Sequence, residues 1–220
     1  MRNMIINNIN YYGVEEEFLN RLKINKYSRL NYLLKRTIDY IMVILLFLVT
    51  WPVILYTIYR IKKESPGSIF FKQTRLGLNN QTFSCYKFRS MHTNSHFNPY
   101  TEENDSRIFP FGHTMRKMRI DELAQLINVL RGDMHIVGPR AEWDILVNEY
   151  EKIIPNYNFR HKVKPGITGL AQVRYPYGRN VRDAERKLQY DIFYIKNWSV
   201  FLEIKILVKT ILVILKKSGV

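Results

Sequence analysis

Arg119-Ile-Asp-Glu-Leu-Ala-Gln-Leu-Ile-Asn-Val-Leu-Arg-Gly-Asp-Met134 sets two adjacent carboxylates, Asp121 and Glu122, at the head of an apolar helical pattern. Leu123, Leu126, Ile127 and Leu130 follow the i, i+3, i+4, i+7 spacing of a helix packed on one side, and Gly132 ends it. Two anions at a helix start lie in the positive end of its macrodipole, which favours their ionised form. Arg116, Lys117 and Arg119 come just before them. Such a layout can bind a divalent cation and present one carboxylate as a nucleophile to a phosphate whose charge the arginines offset. An isolated Asp-Glu pair is more often a cap and a first-turn residue than a catalytic device. Its surroundings therefore have to decide.

Upstream, Gln73 to Met91 reads as a short hairpin: aromatic and polar residues alternate after the turn residues Gly77-Leu-Asn-Asn80. Residues 92–106 form a polar loop. His92 and His96 within it have an i, i+4 spacing that suits a metal on a helix, but the composition is not helical and no third ligand is evident. No metal is expected there, and His113, His135 and His161 read as structural or surface residues.

Residues 40–59 contain no charge and, as a helix, span about 30 Å, enough to cross a bilayer core. Lys26, Arg29, Lys35 and Arg36 flank one end; Arg60, Lys62 and Lys63 flank the other. The positive-inside tendency thus pulls both ends toward the cytoplasm. Pro52 favours a kink near the middle. A kinked span fits, and so does a helix that dips into one leaflet, bends near Thr50 to Pro52 and returns. The second needs a side chain such as Thr50, or other protein, to satisfy the freed backbone groups.

Downstream, Trp143 to Ile154 is an amphipathic helix whose Glu149 and Glu151 lie on a solvated face. Arg160-His-Lys-Val-Lys164 is a dense basic cluster, readable as surface solubility or as contact with phosphate or headgroups. Tyr175-Pro-Tyr177 is an aromatic loop able to stack on a nucleobase. From Phe201 to Leu215 a nearly continuous aliphatic helix carries Lys205 and Lys209, with Lys216 just beyond, in one stripe. It reads either as a core helix with a solvated stripe or, favoured by its apolar character, as a helix lying in the headgroup plane.

The chain has 220 residues and a net charge of +15, so anionic partners are expected. Its basic residues are spread along the sequence and match no nucleic-acid motif, which puts nucleic acid behind lipid and nucleotide. One cysteine, Cys85, excludes an intrachain disulfide. Met1 to Tyr12 is Asn-rich and lacks the apolar core of a signal peptide.

Asp121-Glu-Leu-x-Gln-Leu-x-Asn-Val-Leu-x-Gly-Asp-Met134, with Val137-Gly-Pro-Arg140, closely resembles the core signature of the bacterial monotopic polyprenol-phosphate phosphoglycosyl transferases. The resemblance runs over about residues 31–217. It includes Lys35-Arg36-x-x-Asp39, Phe70-Phe-x-Gln-x-Arg75-x-Gly77, Phe83-x-x-Tyr-Lys-Phe-Arg-Ser-Met91 and Asn104-Asp-x-Arg-Ile108. Lys164-Pro-Gly-Ile-Thr-Gly-x-Ala-Gln-Val173 and Lys187-Leu-Gln-Tyr-Asp-x-x-Tyr-x-x-Asn197 complete it.

That resemblance implies an α+β, mainly helical, membrane-associated monotopic protein with an N-terminal re-entrant helix hairpin, a small β-hairpin region and in-plane amphipathic helices. Residues 1–30 would be an extension without an assigned role, 31–64 the re-entrant membrane helix, 65–200 the cytoplasmic catalytic domain and 201–220 the interfacial helix. The implied reaction moves a sugar-1-phosphate from a UDP-sugar to polyprenyl (undecaprenyl) phosphate, releases UMP and initiates a surface glycan. It would take place at the bacterial inner membrane with the catalytic domain facing the cytoplasm. Asp121 is the implied nucleophile and Glu122 the carboxylate holding Mg²⁺. Lys87, Arg116, Arg140 and Arg179 are implied phosphate ligands. Asp191 is an acidic position whose role is metal, nucleotide or structural. Membrane lipid is an expected partner, nucleic acid is not, and a homodimer stays open.

Several positions depart from the pattern. Arg119 stands where a hydroxyl cap is usual, Ala124 and Ala141 where Pro is common, His135 where Ser is common, and Leu170 where Trp is frequent. None removes a proposed catalytic group. Two rivals remain: a non-catalytic membrane-bound polyanion- or lipid-binding protein, and a one-step transferase in which Asp121 and Glu122 only hold metal.

Overall fold

A computed structural model describes residues 29–93, 105–175 and 180–215. Helix α1, Arg29–Glu64, leads into the antiparallel hairpin of β1, Phe70–Leu76, and β2, Thr82–Phe88. Helix α2, Pro110–Lys117, precedes a 3₁₀ segment, Ile120–Gln125, and helix α3, Leu126–Arg131. Strand β3, His135–Val137, pairs in parallel with β4, Gly166–Thr168. Between those strands lie helix α4, Asp144–Ile153, and the 3₁₀ segment Tyr157–Lys162. Three helices close the chain: α5, Leu170–Arg174; α6, Val181–Lys196; and α7, Val200–Leu215. Helices dominate and the sheets are small, so the α+β, mainly helical expectation holds.

The β1–β2 hairpin turns through Leu78–Asn80, where Asn79 and Asn80 take positive φ, as the turn residues led one to expect. The β3–β4 pair is tighter. A Cβ on Gly166 would lie 2.1 Å from the Gly138 nitrogen, so only a residue without a side chain lets these backbones meet. Two apolar cores result. The larger gathers Val129, Ile136, Val147, Leu188, Ile195 and Ile206; the smaller gathers Ile61, Phe88, Phe109, Phe111 and Met115.

Where the resemblance implies a helix hairpin, α1 is one continuous helix with Pro52 inside it. The Thr50 hydroxyl does bond backbone, donating 2.7 Å to the Leu46 carbonyl one turn back. Such bonding bends helices rather than reversing them. Both halves of α1 touch the domain: Met42, Val43 and Leu46 pack on the larger core, and Ile54, Ile58 and Ile61 on the smaller. Its outer face leaves Ile44, Leu45, Phe47, Leu48 and Trp51 exposed.

Charged side chains fasten α1 to the domain. Lys35, read above as part of a basic flank, is fully buried; it donates 3.0 Å to the Val137 carbonyl and pairs with Glu203 of α7. Asp39 accepts from the Ile136 amide at 3.0 Å and meets His135 Nδ1 at 2.5 Å, which makes His135 structural. Arg36 donates 3.1 Å to the Val129 carbonyl at the end of α3, adding a second donor to a carbonyl that also accepts the Gly132 amide at 3.0 Å.

The Arg160–Lys164 cluster is split: Lys162 is exposed and Lys164 half-buried, but its first two members turn inward. Arg160 and His161 are buried, Arg160 against Asp191 at 2.8 Å. The last helix, α7, buries Glu203 and Ile206 but exposes Phe201, Ile204, Val208, Ile211 and Leu212.

Candidate active site

The Asp121-Glu122 segment folds less regularly than its periodicity predicts. Ile120–Gln125 is a 3₁₀ turn entered through Arg119 in the left-handed region, φ 58°, with no side-chain cap. Three residues per turn rather than 3.6 shifts the faces. Val129 and Asn128 become fully buried, while Leu130 is 52% exposed against the expected stripe. Gly132 ends α3 with φ 85°, as expected.

Asn128 does work that its place in an apolar run conceals. It accepts from the Tyr86 amide at 2.9 Å and donates to the Ser84 carbonyl at 2.7 Å, locking α3 to β2. A polar residue buried in mid-helix is the one signal that could have marked it. The lock brings Lys87 of β2 over the carboxylates, with Nζ 3.5 Å from Glu122 Oε1 and 3.9 Å from Asp121 Oδ2. Arg140, following β3, donates to Glu122 Oε1 at 3.0 Å, and Arg119 Nη1 lies 3.7 Å from the same oxygen. Arg116 borders the same cavity.

These surroundings push the two carboxylates apart. Burial raises the Asp121 pKa, with Lys87 opposing and the neighbouring Glu122 charge adding to the rise. Burial acts upward on Glu122 too, but Arg140, Lys87 and Arg119 together hold it far below the usual carboxylate range. Burial lowers the Lys87 pKa against the pull of both carboxylates. At Asp121 burial therefore works against the helix-start contribution, while at Glu122 the neighbouring cations outweigh burial. A six-residue 3₁₀ segment has little dipole, and desolvation dominates. Adjacent acids with opposed shifts are suited to different roles.

A cavity of about 490 Å³ opens on this cluster. Its polar end carries Lys87, Arg116, Asp121, Glu122 and Arg140, with Gln172, Tyr175 and Lys187 nearby. Two carboxylates beside cations are a donor set that fits Mg²⁺. That ion takes few protein ligands and completes its shell from water and substrate phosphate. Among the described residues no group of three or more His, Cys, Asp or Glu could hold a metal unaided.

The chain's sequence matches the bacterial sugar transferase model over residues 30–217. The chain belongs to that family. It is 42% identical over 188 residues to the UDP-N-acetylgalactosamine-undecaprenyl-phosphate N-acetylgalactosaminephosphotransferase of Aeromonas hydrophila, covering 84% of this chain and 44% of the relative. It is 41% identical over 177 residues to the UDP-glucose:undecaprenyl-phosphate glucose-1-phosphate transferase of Xanthomonas campestris pv. campestris, covering 78% of this chain and 37% of the relative. The chain thus spans about two fifths of the length of these relatives. The exopolysaccharide production protein PSS of Rhizobium leguminosarum bv. phaseoli is 38% identical over 189 residues, covering 81% of this chain and 93% of that protein.

Of the residues that the family resemblance singled out, Asp121, Glu122, Lys87, Arg116 and Arg140 come together around one cavity. Asp191 does not join them. It is 1% exposed and paired with Arg160, which in turn donates 3.0 Å to the Arg140 carbonyl. Burial raises the Asp191 pKa to about 6 against the pull of Arg160. It thus supports the segment carrying Arg140 from behind. Tyr175 borders the cavity and donates 2.6 Å to Asp183. Arg179, Tyr177 and His96 lie outside the described residues.

Proposed function

We propose that this chain transfers a sugar-1-phosphate from a UDP-sugar to polyprenyl phosphate, releasing UMP, through a covalent intermediate on Asp121. The observation that carries this reading is the placement of Asp121 beside Glu122, with Lys87, Arg116 and Arg140 around one cavity. The names of the relatives, which pair UDP-sugars with undecaprenyl phosphate, support it.

An Asp121 oxygen attacks the sugar-bearing phosphorus. The bond from that phosphorus to the bridging oxygen breaks, and UMP departs with the oxygen and its electron pair. A phosphate oxygen of the polyprenyl phosphate then attacks the same phosphorus. The acyl–phosphate bond breaks, the Asp121 carboxylate is restored and a polyprenyl diphosphosugar leaves. No proton need move. Anion meets anion twice, so charge neutralisation by Lys87, Arg116 and Arg140 is the main contribution to rate. Glu122, held anionic by Arg140, is placed to hold Mg²⁺, which when bound offsets diphosphate charge.

The same reading places α1 in the bacterial inner membrane, with the catalytic domain on the cytoplasmic side at headgroup height and surface-glycan initiation as the output. Support comes from its length and apolar character, and from the domain packing on both of its halves.

The test is nucleotide release from the full chain in detergent with Mg²⁺, polyprenyl phosphate and a panel of UDP-sugars. UMP, a sugar-phosphate adduct on Asp121 and loss of both in a folded Asp121→Asn variant are expected. UDP would mean glycosyl transfer without phosphate. Turnover retained in Asp121→Asn would end the nucleophile assignment.

A further inference from the structure

Phosphate transfer uses Asp121, Glu122 and the cations around them, but it leaves Glu142 without a task. This third carboxylate lines the same cavity two residues beyond Arg140, with its side chain 19% exposed. Its backbone is fastened to β1: the Leu76 amide donates 3.3 Å to its carbonyl, and Arg75 holds the carbonyl of Ala141 just before it. Arg160 Nη1 lies 3.8 Å from Oε1, too far for a hydrogen bond, and no other described residue donates to the carboxylate. Neighbouring polar groups are committed elsewhere. Arg160 serves Asp191, Tyr157 and the Arg140 carbonyl, Tyr175 donates to Asp183, and the Gln172 amide donates to the Ile167 carbonyl. Glu142 is an anchored acceptor with open positions on the cavity.

We infer, building on the proposed function, that Glu142 selects the sugar of the donor by accepting a hydrogen bond from one of its ring hydroxyls. The chemistry of the carboxylate excludes other tasks. Burial raises its pKa, but Arg160, Arg140 and Arg75 outweigh burial and hold it below the usual carboxylate range. An anion does not attract phosphate. The same cations oppose a metal ion beside it, and the proposed transfer moves no proton. What remains for it to take is an O–H or N–H from an uncharged part of the donor. An acidic side chain reads a ribose hydroxyl in this way in dinucleotide-binding folds.

A UDP-sugar offers such hydroxyls on its hexose and on its ribose, and reach decides for the hexose. Arg140 touches Glu122 at 3.0 Å, and the two residues from Arg140 to Glu142 span at most about 7 Å. The hexose is joined to the attacked phosphorus through one oxygen, whereas the ribose stands beyond a second phosphate. A site built to bond one hydroxyl discriminates strongly against a sugar that lacks it, because the charged acceptor is then left unpaired.

The experiment measures donor binding by calorimetry on the full chain in detergent with Mg²⁺, carrying Asp121→Asn so that no transfer occurs. The probes are the UDP-hexose that binds best from a panel, its singly deoxygenated hexose forms and its 2′-deoxyuridine form. One deoxyhexose should bind about 10–100-fold more weakly than the parent, the usual worth of a hydrogen bond to a charged partner. Adding Glu142→Ala should weaken the parent by that factor and leave the deoxyhexose unchanged, so that the two bind alike. Glu142→Gln keeps the side chain's volume and an acceptor oxygen, and in that variant the discrimination should fall to about 2–10-fold, as for a neutral pair.

A penalty undiminished in both Glu142 variants would overturn the assignment. So would deoxyhexoses that all bind within about twofold of the parent, an outcome read without touching position 142. Loss confined to the 2′-deoxyuridine form, and abolished by Glu142→Ala, would give Glu142 to the ribose and overturn the hexose contact. UMP release by the wild type is followed separately. If it gave none while the discrimination still depended on Glu142, the transfer chemistry would fall and the sugar contact would stand.

Discussion

Replacing Lys35 by Met tests whether α1 and α7 are held by charge in the interior. Lys35 and Glu203 are 0% and 2% exposed, and the ammonium also donates to the Val137 carbonyl. Breaking a buried ion pair by removing one partner costs about 3–5 kcal/mol, because the survivor stays buried and uncompensated. Here the surviving Glu203 keeps hydrogen bonds from Tyr194 Oη at 2.8 Å and Trp198 Nε1 at 2.7 Å. Methionine also preserves most of the lysine stem's packing. The expected loss therefore falls at the lower end, about 3 kcal/mol. For a chain of this length that lowers the thermal midpoint by about 6–12 °C. The assay is thermal unfolding in detergent of Lys35→Met, Glu203→Gln and the double variant. The double variant should be less destabilised than the sum of the singles by about 1–3 kcal/mol, as expected for residues sharing one contact. A Lys35→Met midpoint within 1 °C of wild type, on the order of the smallest effects, or strict additivity in the cycle would refute the reasoning.

Arg140→Ala should lower kcat about 10²–10³-fold with little change in fold, the usual result of deleting one donor aimed at developing negative charge; a loss below about tenfold in UMP release would remove it from the site. Gly166→Ala and Gly132→Ala should differ in kind. The first drives a Cβ to 2.1 Å from backbone and should cost about 3 kcal/mol, whereas the second meets nothing nearer than 3.6 Å and should cost about 1 kcal/mol for its positive φ. Equal midpoints for the two variants would contradict the close β3–β4 approach. Burial, with the nearby Arg160 charge adding, lowers the His161 pKa from 6.5 to about 4, so the folded protein favours the neutral ring. Stability is then complete above pH 6.5 and drains as the pH falls toward 4, by up to about 3 kcal/mol. Denaturation across that window should show the slope in the wild type and its reduction in His161→Gln; identical slopes would clear His161 of the effect.

Much of this molecule can be read along the chain. The β1–β2 hairpin follows from alternation and Gly77-Leu-Asn-Asn80, α4 from its periodicity, and the end of α3 from Gly132. Each depends on residues a few positions apart. The acidic pair and its basic companions Lys87, Arg116 and Arg140 were legible as motif residues, and folding brings them to one cavity. The reading failed where a charge had a distant partner. Lys35 and Arg36 look like membrane flank, and Arg160 like surface, until Glu203, Val129 and Asp191 arrive beside them.

Local sequence by itself determined the helical character of α1, α4 and α7, the turn at Leu78–Asn80 and the stop at Gly132, because backbone propensity and apolar period belong to neighbouring residues. Only the tertiary structure decided that Asp191 stands behind Arg140, that Asn128 locks Lys87 over the acids, and that Asp121 and Glu122 shift in opposite directions. Those outcomes depend on desolvation and on charges brought within a few ångströms by folding, and neither quantity exists until the chain has packed.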